Sequence, residues 1–410
     1  MNHSVVATPS GLRGLLIRSM GPVATIAVAQ LFGTSLWFSA NSTAEELMRA
    51  WNATSTDIGW LTNAVQLGFI LGTLSLSLSG AADRFRASTL FVCSAIVGAL
   101  FNLGFAWLAE GLLSGAMLRF GVGITLAGIY PMGMKLIVGW APQRTGLALA
   151  QLVSMLTLGT ALPHALRMVG ADWPWQAIIT ASSVLALAGA VLIGVLGEGP
   201  HARIGTAPEP GKTPRPGAIL GAFRIGRFRA ATLGYFGHMW ELYAFWTLVP
   251  LIVSRTGLAS SFPALGVAGL SFCIMALGAV GTILGGLLSQ RTGSAKVALG
   301  ALSLSGACGL LFVLWAEHFP AWALLALLGV WGASVVADSP QFSALAAQAC
   351  PREAVGSALA IQNSIGFAIT VVSIAVTSWL FERIGIDALW LLIPGPVLGV
   401  TGFILSSRQA

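Results

Sequence analysis

Two ionisable side chains stand inside an otherwise apolar run, GHMWELYAFW, where His238 and Glu241 lie three residues apart. That spacing puts them on neighbouring faces of a helix, close enough to share a proton or for one to orient the other. Glu241 follows Arg229, the last basic residue before the run, by 12 residues; at about 1.5 Å per residue this is about 18 Å, close to the middle of a bilayer. A carboxylate so deep is costly unless it faces water, a partner or a substrate, so Glu241 reads as a group that takes up and releases a proton. Asp338, in ADSPQF beside the helix-weakening Pro340, is a second such acid. His238, Glu241 and Asp338 form the candidate proton-coupling set, with a static hydrogen bond between helices as the competing reading for Glu241 and His238 and an N-cap-like structural acid for Asp338.

A second group has the chemistry of a binding site. Arg119 and Lys135 suit a small anion, although a structural ion pair and a snorkelling side chain are the alternatives. Gln30, Trp37 and Asn41 follow one another at spacings of 7 and 4, which places them on one helical stripe. With Arg119, Tyr130, Gln66, Trp246 and Gln362 they make up the candidate substrate-binding residues. Two buried acids among aromatic rings would instead suit an amphipathic cation.

The elements that must position these residues are set by composition. Of 410 residues, 56% are hydrophobic and only 9% charged, and the mean hydropathy is +0.84, so the chain belongs in a membrane. Apolar stretches recur at 21–40, 57–79, 89–109, 112–139, 146–168, 175–197, 229–253, 265–289, 296–316, 320–347, 357–380 and 388–406. Each is long enough to cross as a helix, which predicts an all-α integral membrane protein of twelve transmembrane helices. The first stretch runs into polar NSTAEE without a cleavage signal and reads as a retained helix. The net charge of +7 comes from scattered loop arginines and lysines rather than from a nucleic-acid-binding surface. Those residues fall in the even-numbered connections and on the tails, which expects both termini on the cytoplasmic side of a plasma (inner) membrane.

Residues 198–218, GEGPHARIGTAPEPGKTPRPGA, are rich in Pro, Gly and basic side chains and read as a flexible cytoplasmic linker. The expected division is 1–197 and 229–410 as two six-helix halves, joined by 198–228. The halves repeat: residues 127–151 align with 337–362, pairing Pro131 with Pro340 and Pro142 with Pro351. Trp37 and Phe38 fall near the repeat positions of Phe245 and Trp246, so aromatic rings from both halves are expected to close over a substrate. Such a duplication places the site between the halves near mid-membrane.

Together these features resemble the major facilitator superfamily. SGAADRFRAS resembles its signature loop through Asp83, Arg84 and Arg86, and LRFGVG resembles its fourth-helix motif through Arg119 and Gly123. The resemblance implies that the first, fourth, seventh and tenth helices line a central cavity. It also implies a cytoplasmic gate at Asp83, Arg84, Arg86 and Arg144, and a charge-balancing role for Arg119. LWFSAN and IQNSIGFAIT resemble cyanate- and nitrate-type members, while the second and eighth spans lack the arginine pair of nitrate carriers. LGTALPHAL has Gly159 and Pro163 but not the glycine pattern of drug/proton antiporters.

The function expected is secondary transport of a small solute, proton-coupled, with an anion ahead of amphipathic cations exported by proton-driven efflux. A non-transporting membrane sensor is the further alternative. No nucleotide-binding loop, HExxH or GxSxG is present, so no enzyme activity is expected. Cys93, Cys273, Cys308 and Cys350 lack ligand spacing, so neither metal nor cofactor is expected. The partners are a small molecule, protons and lipid, with no nucleic acid, and the chain is expected to act as a monomer.

Overall fold

A computed structural model of the chain describes residues 11–142, 145–202, 221–350 and 355–408. Every regular element among the described residues is helical. The first half contains α1 (Pro22–Thr34), α2 (Ser55–Leu78), α3 (Ala87–Leu108), α4 in two pieces (Leu112–Leu126 and Tyr130–Trp140), α5 (Thr145–Val169) and α6 (Trp175–Leu196). The second contains α7 (Gly226–Arg255), α8 (Gly266–Thr292), α9 (Ser294–Trp315), α10 in two pieces (Ala321–Ala337 and Ser339–Ala349), α11 (Val355–Ile384) and α12 (Pro394–Ser407). Large apolar side chains such as Leu78, Leu113, Val184, Leu284 and Leu398 are exposed on the flanks, as a lipid-facing belt requires.

The repeat seen in sequence is a repeat in packing. Within the first half α2 lies along α4 and α1 along α6; within the second, α8 lies along α10 and α7 along α12. Two crossings join the halves, α2 with α11 and α5 with α8, and these exchange under the same symmetry. Polar contacts fasten both: Asn63 Nδ2 donates to the Val371 carbonyl at 3.0 Å, and Ser154 Oγ to that of Ala279 at 2.9 Å.

Glycine lets the paired helices touch through their backbones. A Cβ on Gly68 or Gly123 would come within 2.1 Å of a carbonyl oxygen across the α2–α4 crossing, and on Gly281 or Gly332 within 2.0 Å across α8–α10. Packing of this closeness is the usual means of association where no hydrophobic drive exists between helices.

The breaks in α4 and α10 also correspond. Pro131 and Pro340 each sit in the first turn of the second piece, where a missing N–H costs nothing, while their rings prevent continuation of the preceding helix.

Three boundaries differ from expectation. α1 ends at Thr34 rather than near residue 40, because Thr34 and Ser35 hydroxyls bond back to the carbonyls of Gln30 (2.8 Å) and Phe32 (2.7 Å) and compete with helical pairing. α7 starts at Gly226, inside the expected linker, and α12 starts only after a 3₁₀ stretch at Gly385–Leu392. The start of the linker is fastened rather than free: His201 N donates to the Gly139 carbonyl at 3.1 Å, and Trp140 Nε1 to that of Gly197 at 3.1 Å. A short helix, Gly11–Ser19, lies at 94° to α1. Its Arg13 donates to the Glu198 carbonyl at 3.1 Å and stacks over Trp140.

Candidate functional site

Where the halves meet, six aromatic rings form one seam. Trp37 and Phe38 follow α1, Phe69 is on α2, Tyr243 and Trp246 are on α7, and Phe367 is on α11. Trp37 stacks on Tyr243 (5.8 Å between centroids) and Phe367 (6.0 Å), and Phe38 meets Trp246 edge-on at 5.9 Å. Phe69 closes the set against Phe367 at 4.5 Å. All six are buried, with rings of one half resting on rings of the other. Trp37, Phe38 and Trp246 meet as expected from the repeat. Phe245 does not join them: it stacks on Trp331 of its own half at 4.3 Å.

Buried polar groups lie on the same elements as the seam. Gln30 is two turns before Trp37, and its amide oxygen rests against Gly133 of α4, where a Cβ would approach it to 2.3 Å. Neither end of the Gln30 or Gln66 amide has a protein partner, and the same holds for the indole N–H of Trp37 and Trp246. Gln362 of α11 accepts from Thr232 at 3.3 Å through its oxygen while its nitrogen is unpartnered. Gly366 makes room for Tyr235 as Gly133 does for Gln30, its Cβ position being 2.6 Å from the ring. The chain has three tyrosines, Tyr130 on α4 and Tyr235 and Tyr243 on α7, and all three lie within electrostatic reach of one another across the junction. This is a neutral environment of rings, phenols and amides, suited to gripping a flat solute by stacking and by its polar edge.

Glu241 is turned away from that junction. It is 1% exposed, and both carboxylate oxygens are held inside the second half. Trp331 Nε1 on α10 donates to Oε1 at 2.7 Å and Ser305 Oγ on α9 to Oε2 at 2.8 Å. Of the environments expected for so deep an acid, water, a partner or a substrate, Glu241 has a closed cage of partners, because a buried carboxylate without hydrogen-bond donors would be far more costly. His238 does not share that cage. Its Nδ1 is 2.8 Å from Asp338 Oδ1, at the break in α10, and both side chains are fully buried. The proton-coupling candidates thus form two links between α7 and α10, one at Glu241–Trp331 and one at His238–Asp338.

Arg119 is fully buried in the first half, on α4 rather than on α1, the repeat of α7, and it does not face the aromatic seam. Its Nη1 donates to the Leu36 carbonyl (3.0 Å), Ser39 Oγ (3.0 Å) and Asn102 Oδ1 (2.9 Å), and its Nη2 to the Trp37 carbonyl. The two carbonyls belong to the chain just beyond the end of α1, where unpaired oxygens give a partial negative charge that a cation offsets. Asn102 is itself held on α6 by the Ile179 carbonyl at 3.1 Å and Ser183 at 3.0 Å. Arg119 is thus held as a helix-end cap, the structural alternative to its reading as a substrate anchor, with Nε left unpartnered. Asn41 is likewise engaged, donating to Thr62 Oγ1 at 2.9 Å. Lys135 donates to the Ala82 carbonyl.

Of the gate candidates, Arg84 and Arg86 are exposed around the turn into α3. The side chain of Asp83 and the whole of Arg144 lie outside the described residues. Two apolar troughs lie on the flanks, one along Trp107, Leu166 and Val184 and one along Val92, Ile96 and Val191. Both face the lipid belt rather than the junction.

Tyr243, Tyr235, Phe69 and Phe367 were not among the sequence candidates, nor were Ser305 and Trp331. Tyr243 and Tyr235 had a signal, since they bracket Glu241 and His238 and a polar phenol in mid-membrane is itself unusual.

A family model described as Major Facilitator Superfamily matches residues 26–373. A point mutant of the nucleoside transporter NupG superposes with a TM-score of 0.73 at 12% identity, covering 94% of this chain and 99% of that one. A bacterial homologue of the human lysosomal transporter Spinster, inward-facing and unoccupied, superposes at 0.68 with 12% identity, covering 98% of this chain and 96% of that one. No curated protein sequence matches the chain.

Proposed function

Because the chain belongs to the major facilitator superfamily and is a multi-pass membrane transporter by type, we propose that it carries a small, flat, uncharged solute by alternating access, driven by protons. The observation that carries this reading is the seam in which Trp37, Phe38 and Phe69 of one half rest on Tyr243, Trp246 and Phe367 of the other. Separating the halves exposes ring faces on both sides together with the unpartnered amides of Gln30 and Gln66. Ring faces and amides are what a flat solute with donors and acceptors on its rim needs. Nucleosides are one such class, and the NupG likeness is consistent with it at the level of fold. The small-anion reading loses its carriers, since Arg119 and Lys135 are both engaged by carbonyl oxygens.

In this proposal the regions 1–197 and 229–410 rock as units about the α2–α11 and α5–α8 crossings, with 198–228 as their tether. The even-numbered loops and both termini face the cytoplasm, Arg84 and Arg86 stand at that mouth, and one chain supplies both walls of the passage. Glu241 and the His238–Asp338 pair hold the proton. Both link α7 to the two pieces of α10, so protonation there alters how α10 bends and thereby how the second half presents its wall.

The first test is a thermal-shift screen of purified protein, since a ligand of the folded state raises the melting point. Nucleosides and neutral aromatic amides are expected to stabilise; a response confined to inorganic anions or lipophilic cations overturns the solute class. Glu241→Gln, reconstituted in vesicles with the hit from that screen, is expected to lose accumulation driven by a pH gradient while retaining exchange at equal pH. Undiminished accumulation removes Glu241 from coupling.

A further inference from the structure

The cage around Glu241 contains one group that can change the direction of its hydrogen bond. Trp331 Nε1 is a donor only and serves Oε1 whatever the charge on the carboxyl group. Ser305 is different. Its hydroxyl is 2.8 Å from Glu241 Oε2 and also 3.0 Å from the carbonyl of Leu302, one turn back on α9. A hydroxyl has one proton to give and lone pairs to receive, so it cannot serve both oxygens as donor at once.

We propose that Ser305 is a two-position switch that lets Glu241 take up and lose a proton without leaving any group of its cage unpaired. With Glu241 ionised, Ser305 gives its hydrogen to Oε2. When a proton from water binds Oε2, the new O–H of Glu241 donates to Ser305 Oγ, and Ser305 turns its own hydrogen to the Leu302 carbonyl. Release reverses both rotations and returns the proton to water; no covalent bond other than O–H forms or breaks. In both states Oε1 accepts from Trp331, so the α7–α10 link persists while the α7–α9 link reverses its direction.

The other ionisable groups around Glu241 leave this task to Ser305. Cys308, one turn beyond Ser305 on α9, is buried, and it and Asp338 on α10 lie within electrostatic reach of the carboxylate. Asp338 is engaged by His238 of α7, and α12, which packs along α7, carries no ionisable side chain over Pro394–Ser407. Ser305 is the positioning residue because its hydroxyl touches Glu241 and has a second acceptor at hand.

The inference rests on Glu241 being the coupling acid, and its test needs no transported solute. Infrared difference spectra of the purified full chain, taken across a pH series, report the carboxyl C=O band of a protonated acid, and Glu241→Gln identifies which band belongs to Glu241. Ser305→Ala removes the acceptor of the Glu241 O–H, so the C=O band of protonated Glu241 is expected to move to a different wavenumber, and Ser305→Thr, which keeps the hydroxyl, is expected to restore it. A band of unchanged wavenumber in Ser305→Ala overturns the switch while leaving Glu241 as the coupling acid, since a one-way donor to the carboxylate would move the midpoint alone. Absence of any titrating band that Glu241→Gln removes overturns both. Because Ser305→Thr differs from Ser305→Ala by a rotatable hydroxyl, a band position that follows the hydroxyl separates the switch from a packing defect.

Discussion

Each half of the molecule buries charged side chains, and Arg119 in the first and Glu241 in the second are held by the same three helices. In the first half Arg119 on α4 is held by the chain beyond α1 and by Asn102 on α3; in the second, Glu241 on α7 is held by Ser305 on α9 and Trp331 on α10. By the internal repeat, α1, α3 and α4 correspond to α7, α9 and α10. The difference lies in what surrounds the charge. Arg119 gives hydrogens to backbone and amide oxygens that have no other donor of equal strength, and a guanidinium keeps its proton in proteins. Glu241 receives hydrogens from neutral donors, and a carboxyl group in such company can exist in either form. One cage is a fixture and the other is suited to change, which assigns the first half the role of rigid partner and the second the role of responsive one.

The comparison is broken most directly at Arg119. Replacement by Met leaves the Trp37 carbonyl without its donor and only the Ser39 hydroxyl to share between the Leu36 carbonyl and Asn102 Oδ1, and the expected loss is about 3–5 kcal/mol, the cost of two orphaned buried acceptors. Unfolding in detergent measures it; a well-folded variant with only a weakened solute response would return Arg119 to the binding site. Asn102→Ala, which removes a satisfied bridge between α3, α4 and α6, is expected to cost about 1–3 kcal/mol in the same assay. A loss well below that range would mean that the carbonyls alone hold Arg119. The smallest stability effect is expected for Glu241→Gln, within about 1 kcal/mol, since the amide can accept from Trp331 and donate to Ser305 as the protonated acid would. A loss comparable to that of Arg119→Met would show the second cage to be as fixed as the first and would erase the contrast.

Much of the architecture was legible in the sequence because its causes are local. Apolar length marks the spans, and Pro131 and Pro340 mark breaks that depend only on a missing N–H and a bulky ring. The meeting of Phe38 with Trp246 agrees with the repeat, which converts a shared offset into a shared place. Phe245 shows the limit of that argument. One residue along a helix is about 100° of rotation, enough to turn its ring from the junction to Trp331 in its own half.

The cages were not legible. Ser305 and Trp331 stand 64 and 90 residues from Glu241, and nothing in the sequence marks which helix a buried carboxylate will face. The partners of Arg119 were hidden for a related reason: its chief acceptors are backbone carbonyls, which every residue possesses and no motif reveals.

The backbone contacts at Gly68, Gly123, Gly281 and Gly332 have a bearing on how such a chain can vary. Over the lipid-facing flanks one leucine or valine does as well as the next, so those surfaces are free to drift. At these four positions, in two crossings, a single hydrogen atom is all the space admits, and even alanine is excluded. Room for substitution is thus set less by the many bulky residues of the flanks than by the smallest residues at such contacts.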